Sequence, residues 1–256
     1  MSNEVMKKDT GSVALFGDDL QKGFENMTQE DMALPFVRIL GQLSPQVTDG
    51  DAKYIDGAKP GMIYNTVTSE CFDGKKGIKV IPCYYKKDYP EWSDRGDGPG
   101  APVAVHLPNS PVIQTGKRDG SKIRLPNGNY LEETASYYVL VETKAGGMTP
   151  ALITMKSTQL NVSKKWNSMM KTIQISDGKG GMAIPPMHGV VYNLQSVLQK
   201  NDKGSWYGWS VTQNRIMGQD DKSLYLTAKD FSGTASKGNV QTKADVEEKA
   251  KDSTPY

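Results

Sequence analysis

Aromatic rings and positively charged side chains lie close together in three segments of this chain. These segments are residues 84–92, residues 164–171 and the stretch 201–209, in which a polar Asn-Asp-Lys-Gly tip is followed by two tryptophans. A flat ring can stack on any nucleic acid base, and lysines contact the phosphates that join the bases. Because a duplex hides the faces of its bases, this pattern predicts contacts with single-stranded nucleic acid.

The candidate residues fall into two chemical groups. Those expected to stack on bases are Tyr84, Tyr89, Trp92, Trp206 and Tyr207. Those expected to contact phosphates are Lys86, Lys87, Lys117, Arg118, Lys122, Arg124, Lys164, Lys165, Lys171, Lys203 and Arg215. The alternative for each ring is a place in the core, because tryptophan and tyrosine are common in half-buried strands.

Strand alternation separates the two tryptophans of the third segment. Side chains along a strand point to opposite faces in turn, so Trp206 shares one face with Gly208, while Tyr207, Trp209 and Val211 share the other. The second face is the more apolar one and is expected to belong to the core. Trp206 is therefore the stronger candidate for stacking, and Tyr207 is the weaker one.

The motifs that identify common enzymes are missing from the sequence. It contains no Walker-type phosphate loop, no Gly-x-Ser-x-Gly elbow and no His-Glu-x-x-His helix. His106 and His188 each lie in a loop-like context, and Cys71 and Cys83 lack the spacing of zinc ligands. We therefore expect a protein that is not an enzyme and that uses no cofactor and no metal.

One enzymatic alternative stays open. The apolar strand that begins at Tyr137 ends in Glu142-x-Lys144, an arrangement that many metal-dependent nucleases use to hold Mg²⁺ and to place a lysine beside the scissile phosphate. Such a site needs a further carboxylate from a neighbouring strand, for which Glu132 and Glu133 are the nearest candidates. The other interpretation of this segment is the solvated end of a hairpin.

Composition and charge indicate the class of protein. The chain has 256 residues, of which 37% are hydrophobic, enough for a substantial core. No stretch approaches the roughly 18 apolar residues of a membrane span, and no signal peptide is recognisable, so a cytoplasmic protein without membrane contact is expected. Residues 34–231 contain 24 basic and 18 acidic side chains, a net charge of +6, whereas residues 1–33 contain three basic and seven acidic ones, net −4. A basic middle region suits a polyanionic partner.

Short strands separated by turns dominate the central region. Runs rich in β-branched and aromatic residues alternate with clusters of Gly, Pro, Asp and Asn, and they occupy residues 34–40, 62–67, 78–85, 103–106, 137–143 and 152–155. This rhythm predicts a mainly β domain of the α+β class, either a barrel or a sandwich. One helix is expected over residues 157–172, with Trp166 facing the core and Lys164, Asn167, Ser168 and Lys171 on a different face.

The chain is expected to form one domain with two flexible ends. Residues 1–33 are predicted to be a flexible acidic arm, residues 34–231 a nucleic-acid-binding domain, and residues 232–256 a flexible tail. Within the domain, the connection 89–125 is predicted to be a long basic loop with too little apolar sequence for a core of its own. Residues 190–213 are predicted to form a hairpin.

Several short motifs occur together along the chain: Leu34-Pro35-Phe36-Val37-Arg38-Ile39-Leu40 with Leu43-Ser44-Pro45, Gly57 to Asn65, Val80-Ile81-Pro82-Cys83, Ser157-Thr158-Gln159-Leu160 with Lys164-Lys165-Trp166, and Asn201 with Lys203-Gly204-Ser205-Trp206. In these motifs the chain resembles a family of bacteriophage proteins that are encoded near replication and recombination genes and are regarded as single-stranded DNA-binding proteins. The resemblance implies an OB-fold-like, five-stranded antiparallel barrel with an inserted helix and long loops. It also implies a protein that coats single-stranded DNA in the host cytoplasm during phage replication.

The expected function is therefore sequence-independent binding of single-stranded DNA. Candidate protein partners are phage polymerase, helicase and primase, and further copies of this chain in a dimer or larger oligomer. Three alternatives remain: the metal-dependent nuclease, a virion or scaffold protein that uses the same rings in subunit contacts, and a recombination protein that anneals complementary strands.

Overall fold

The computed structural model describes residues 17–19, 22–27, 31–94, 101–202 and 204–238. The chain divides into two units, residues 1–32 and residues 33–256. In the first unit, the described residues include a short 3₁₀ turn at Gly17–Asp19. Most of the predicted N-terminal arm, and the predicted tail beyond residue 238, lie outside the described residues.

The second unit is built mainly from β-strands. In chain order the strands are β1 Val37–Ile39, β2 Ile63–Asn65, β3 Cys71–Phe72, β4 Ile78–Trp92, β5 Ala104–His106, β6 Lys117–Asp119, β7 Lys122–Arg124, β8 Tyr130–Glu132, β9 Thr134–Glu142, β10 Met148–Lys156, β11 Ile175–Ser176, β12 Met182–Ala183, β13 Val190–Asn201 and β14 Gly204–Ile216. The α-helices are α1 Val112–Thr115, α2 Leu160–Thr172 and α3 Lys222–Ser236. Short 3₁₀ turns lie at Pro45–Val47, Ser157–Gln159, Met187–Gly189 and Gln219–Asp221.

Five long antiparallel strands form the central sheet in the order β10-β9-β4-β13-β14. The sheet curls into a half barrel, which confirms the prediction of a mainly β, OB-like fold. Its middle strands are buried on both faces, since Val80 and Ile81 of β4 are both fully buried although they point to opposite sides. Apolar runs are typical of strands that are covered on both faces.

Helix α2 covers one face of the central sheet. Trp166 is fully buried, and its ring stacks on Tyr137 of β9 with the ring centroids 4.3 Å apart and meets Tyr192 of β13 edge-on at 5.6 Å. The Tyr137 hydroxyl lies 2.9 Å from Asn167 Oδ1. The prediction that Trp166 faces the core is confirmed. The prediction that Asn167 shares the exposed face of the lysines is wrong, because its side chain turns inward to this hydroxyl.

Helix α3 covers the opposite face. Ala228, Phe231 and Ala235 are buried against the sheet, and the Ser232 hydroxyl donates a 2.7 Å hydrogen bond to the Cys83 carbonyl. The predicted domain boundary at residue 231 is therefore wrong, since the helix continues to Ser236. The apolar stripe of this helix consists of only two alanines and one phenylalanine. Because the residues between them are mostly polar, the sequence of this segment resembles that of a flexible tail.

The second half of β4 belongs to a smaller sheet. Here β4 pairs with β5 and β8, and the order continues through β7 to β6. We call this part, together with residues 101–132, the small lobe. Its core consists of Tyr89, Ile123, Leu125 and Leu131. The prediction of a long loop at residues 89–125 without a core is wrong, because apolar residues from both sides of the segment combine with Leu131 beyond it.

Strands β1, β2 and β3 form a third, three-stranded sheet beside the edge of β10. The Leu152 amide donates a 2.8 Å hydrogen bond to the Pro35 carbonyl, so the chain before β1 caps the edge of β10. On the other side, Gly61 has a φ of +89°, and a Cβ at this position would lie 2.5 Å from Cε1 of Tyr207. Only glycine permits this contact between the β1–β2 connection and the hairpin.

Candidate nucleic-acid interface

Helix α2 and the hairpin β13–β14 face each other across a cleft of about 230 Å³. Lys165 and Trp166 contribute to its wall from the helix, and Gln199, Trp209 and Ser210 contribute from the hairpin. We define the helix–hairpin surface as the cleft residues Lys165 and Gln199 together with Lys164 and Lys171 of α2 and with Trp206, the partner of Gln199 in the strand register. The surface combines positive charge with an aromatic ring on two regular elements.

A side chain just before α2 fixes the helix to the hairpin. Gln159 Oε1 accepts a 2.8 Å hydrogen bond from the backbone N–H of Trp209. A Cβ added to Gly208 would lie 2.3 Å from Gln159 Nε2 and 2.8 Å from Gln199 Nε2, so both amide groups lie directly above this glycine. Sequence reasoning missed Gln159 as a positioning residue, because nothing local to it indicates that it reaches the hairpin.

Helix α2 and strands β13 and β14 contain no aspartate or glutamate, although Asp202 lies in the turn between the two strands. Lys164, Lys165 and Lys171 are exposed, and within the part of the chain that the structure describes they take part in no ion pair. Lys203, the predicted contact at the hairpin tip, lies outside the described residues. The three helix lysines are thus available to an anionic ligand.

The hairpin tryptophans occupy different environments, as strand alternation predicts. Trp209 is buried in the main core, whereas Trp206 is half-buried and lies opposite Gln199 in the strand register. The indole nitrogen of Trp206 is itself buried, so the exposed part of this residue excludes its polar atom. Tyr207 is half-buried against Gly61. The exposed part of the Trp206 side chain therefore consists of ring carbons.

The first aromatic and basic segment does not join this surface. Along β4, Tyr84 contacts Tyr138 with their ring centroids 5.7 Å apart, while Tyr89 is 8% exposed and belongs to the small-lobe core. The prediction that Tyr89 stacks on a base is wrong, since neither face of its ring is accessible. Lys86 Nζ lies 3.1 Å from Asp88 Oδ2, and Lys87 Nζ lies 3.0 Å from Glu133 Oε1.

The cations of the small lobe are engaged with local partners to different degrees. Lys122 Nζ lies 3.5 Å above the centre of the Tyr130 ring, and Arg124 Nη1 lies 3.0 Å from Asp94 Oδ2. Trp92 is half-buried at the end of β4, opposite Tyr130. The remaining two predicted contacts, Lys117 and Arg118, are exposed on β6. The small lobe thus holds exposed charge on one edge strand and paired charge elsewhere.

Arg215, at the end of β14, forms an ion pair with Asp221. Its Nη2 lies 2.7 Å from Asp221 Oδ1, and its Nη1 contacts the other carboxylate oxygen. The hydrogen bond from the Arg215 guanidinium lowers the pKa of Asp221 to about 2. This pair joins the hairpin to the start of α3, and Arg215 is correspondingly less available to a phosphate than the lysines of α2.

The candidate nuclease residues have other neighbours. Glu142 Oε1 lies 3.0 Å from Lys79 Nζ, and Lys144 Nζ lies 5.9 Å from the centre of the Phe72 ring. Among the described residues, no cluster of three histidine, cysteine, aspartate or glutamate side chains is placed to hold a metal ion. The carboxylate that the nuclease arrangement requires beside Glu142 is not supplied by Glu132 or Glu133, which pair with Lys156 and Lys87.

Fold and site together define a mainly β protein with a half barrel covered by helices and with exposed lysines on helix α2. Residues 7–241 match the model of the Pam3 phage gp34-like protein family, and the chain belongs to this family. No curated protein and no solved structure matches the chain. In the described part of the chain, none of the helices has the length and apolar character needed to span a bilayer.

Proposed function

We propose that this phage-family protein binds single-stranded DNA without sequence preference, through the helix–hairpin surface, and coats exposed strands during phage DNA replication or recombination. The observation that supports the proposal best is that α2, β13 and β14 contain no carboxylate and that, among the described residues, Lys164, Lys165 and Lys171 form no ion pair. A lysine without an ion pair in the protein loses no internal contact when it binds a phosphate. Its binding also releases the counterions of the strand, which favours the complex.

Stacking supplies the second part of the proposed mechanism. Trp206 lies on the rigid hairpin opposite Gln199, which lines the same cleft as Lys165. A base that stacks on the ring of Trp206 would hold its phosphate close to the lysines of α2. Stacking on one ring contributes about 1–3 kcal/mol and tolerates every base, so binding would not depend on sequence.

Salt dependence tests the proposal directly. The full-length protein is titrated into labelled oligothymidylate, a duplex of equal length and oligouridylate, each at about 50 and 200 mM salt. Three lysine–phosphate contacts on a single strand predict a slope of log K against log salt of about −2, which is roughly a twenty-fold loss of affinity over this range. The duplex should bind more weakly than the single strand, because its bases cannot stack on Trp206.

Two outcomes of this titration would contradict the proposal. The first is an affinity for oligothymidylate that does not change with salt, which would exclude phosphate contacts as the source of binding. The second is equal affinity for the duplex and the single strand, which would exclude stacking. Quenching of tryptophan fluorescence by the oligonucleotide provides an independent measure of whether a tryptophan is at the interface.

A further inference from the structure

Strands β1 and β2 direct their polar and aromatic side chains away from the main core. Arg38 and Tyr64 are direct partners in the register, and Phe36 lies beside Thr66, whose hydroxyl oxygen accepts a 2.9 Å hydrogen bond from the Phe36 amide. Val37, which alternates with them, is buried in the main core. These side chains therefore form a floor with two aromatic rings and one cation, in which Tyr64 is buried, Phe36 is half-buried and Arg38 is exposed.

The segment 45–55 forms a wall above this floor. It begins with the 3₁₀ turn Pro45–Val47, and the Ile55 amide donates a 3.0 Å hydrogen bond to the Gln46 carbonyl, which folds the segment back on itself. Lys53 is exposed, and Tyr54 is 42% exposed. Between the floor and the wall lies a cleft of about 540 Å³, a size typical of sites for small molecules. We call it the β1–β2 cleft.

The lining of the β1–β2 cleft combines three rings, those of Phe36, Tyr54 and Tyr64, with the two cations Arg38 and Lys53. Among the described residues, no aspartate or glutamate lines it. The guanidinium of Arg38 lies 5.6 Å from the centre of the Phe36 ring, which holds this planar cation at the floor. Rings suit a planar heterocycle, and a guanidinium and an ammonium group suit a phosphate.

We propose that the β1–β2 cleft is a binding site for one nucleoside phosphate, with the base against the ring of Tyr54 and the phosphate between Arg38 and Lys53. Tyr54 is the most exposed of the three rings, and Lys53 precedes it on the same turn. The site shares no residue with the helix–hairpin surface and goes beyond the proposed function. Its ligand is either a free nucleotide or one nucleotide unit of a strand, and both present the same chemistry.

Calorimetry of the full-length protein tests this site. Thymidine 5′-monophosphate and adenosine 5′-monophosphate are titrated separately, with thymidine and inorganic phosphate alone as the two half-ligands. We expect saturable binding of one nucleotide per chain, with both half-ligands at least tenfold weaker, because each lacks one of the two contacts. Tyr54→Ala should lower nucleotide affinity roughly 5- to 150-fold, the range that stacking on one ring supports, whereas Tyr54→Phe keeps the ring and most of the affinity.

Charge variants locate the phosphate. Lys53→Ala should weaken the binding of both nucleotides at least several-fold. Lys59→Ala is the matched control, since Lys59 is an exposed lysine that also precedes β2 in the chain but does not line the cleft. Circular dichroism checks that each variant folds; if Tyr54→Ala does not, Lys53→Glu tests the same site by charge reversal. Absence of nucleotide binding by the wild-type chain overturns the proposal. So does binding that Lys53→Ala and Tyr54→Ala leave unchanged.

The two sources of the ligand, and the two proposed sites, are separated by titrating the same variants with oligothymidylate. If the β1–β2 cleft binds one nucleotide of a strand, Tyr54→Ala should also weaken the binding of the oligonucleotide. If the cleft binds a free nucleotide, Tyr54→Ala should affect the binding of mononucleotides only. Either result supports the site. Replacement of Lys164, Lys165 and Lys171 by alanine should leave mononucleotide binding intact. Failure of the helix–hairpin surface and failure of the β1–β2 cleft are therefore distinguishable.

Discussion

Strand β4 and helix α2 both place two consecutive lysines beside aromatic rings, but the structure gives these lysine pairs different neighbours. Lys87 donates to Glu133, and this hydrogen bond raises the pKa of Lys87, while Lys86 lies beside Asp88. Lys164 and Lys165 lie on α2, which contains no aspartate or glutamate. If ion pairs within the protein determine which lysines bind phosphate, alternating rings and lysines do not by themselves define a phosphate site.

The two pairs of lysines differ in what a bound phosphate must displace. A phosphate that approaches Lys87 must replace the Glu133 carboxylate, so the gain is the difference between two similar interactions. A phosphate that approaches Lys164 or Lys165 replaces only water and mobile counterions. The two faces of β4 also carry Lys86 and Lys87 to opposite sides of the sheet, which prevents both from following one strand of DNA.

The largest expected effect comes from removing the lysines of α2. The variant with Lys164→Ala, Lys165→Ala and Lys171→Ala should lose affinity for oligothymidylate on the order of a hundred-fold at about 50 mM salt, and its salt slope should fall toward zero. The matched variant with Lys86→Ala and Lys87→Ala should change affinity less than about three-fold, since both lysines are already paired. Fluorescence anisotropy measures both variants under identical conditions.

A larger loss of affinity in the β4 variant than in the α2 variant would contradict this expectation. If the β4 variant loses more affinity than the α2 variant while both retain the circular dichroism spectrum of the wild type, the DNA follows β4, and ion pairing does not decide which lysines bind phosphate. Equal losses would show that the whole basic surface contributes without distinction.

Much of the fold follows from local patterns, and the exceptions have a common cause. The strand runs, helix α2 and the hairpin were predictable, because each carries its own periodicity and its own turn residues. The small lobe and helix α3 were not, because their apolar residues are sparse along the chain. Ile123 and Leu125 find Tyr89 and Leu131 only after folding.

The candidate site was predictable to a similar extent. Strand alternation separated Trp206 from Trp209, and helical spacing placed Trp166 in the core. The ion partners of Lys87 and Arg124 could not be inferred, because Glu133 lies on a neighbouring segment and Asp94 lies 30 residues away in the chain. The β1–β2 cleft also escaped sequence analysis, since its wall and floor meet only through tertiary contacts.

The next effect in size concerns the ring of Trp206. Trp206→Ala should weaken oligothymidylate by roughly 5- to 150-fold with an unchanged salt slope, because it removes stacking and leaves the phosphate contacts in place. Trp206→Phe should recover part of the loss. Tyr84→Ala is the control from β4; its ring packs on Tyr138, and its loss should not weaken binding. Unchanged affinity in Trp206→Ala would assign Trp206 to packing alone.

The smallest expected effect concerns the charged residue Glu91 of the small lobe. It tests whether this residue stabilises the fold without contributing to DNA binding. The Glu91 carboxylate is buried and lies 2.6 Å from Asn129 Nδ2, 2.7 Å from His106 Nε2 and 3.1 Å from Asn127 Nδ2. The hydrogen bond from Asn129, followed by those from His106 and Asn127, lowers the pKa of Glu91 against the opposing effect of burial. The carboxylate thus holds β4, β5 and the turn before β8 together.

Because the folded pKa of Glu91 lies below its unfolded value, its stabilising effect is present above that unfolded value, near pH 4.5, and is lost as the pH falls through the folded pKa. Glu91→Gln should therefore lower the free energy of unfolding by about 1–3 kcal/mol at pH 7, and the difference from the wild type should shrink below pH 4.5. Urea unfolding at pH 7 and pH 4 measures this, and DNA affinity at pH 7 should stay unchanged. A variant that keeps its stability but loses DNA binding would place the small lobe in the interface and remove the distinction between the two lysine pairs.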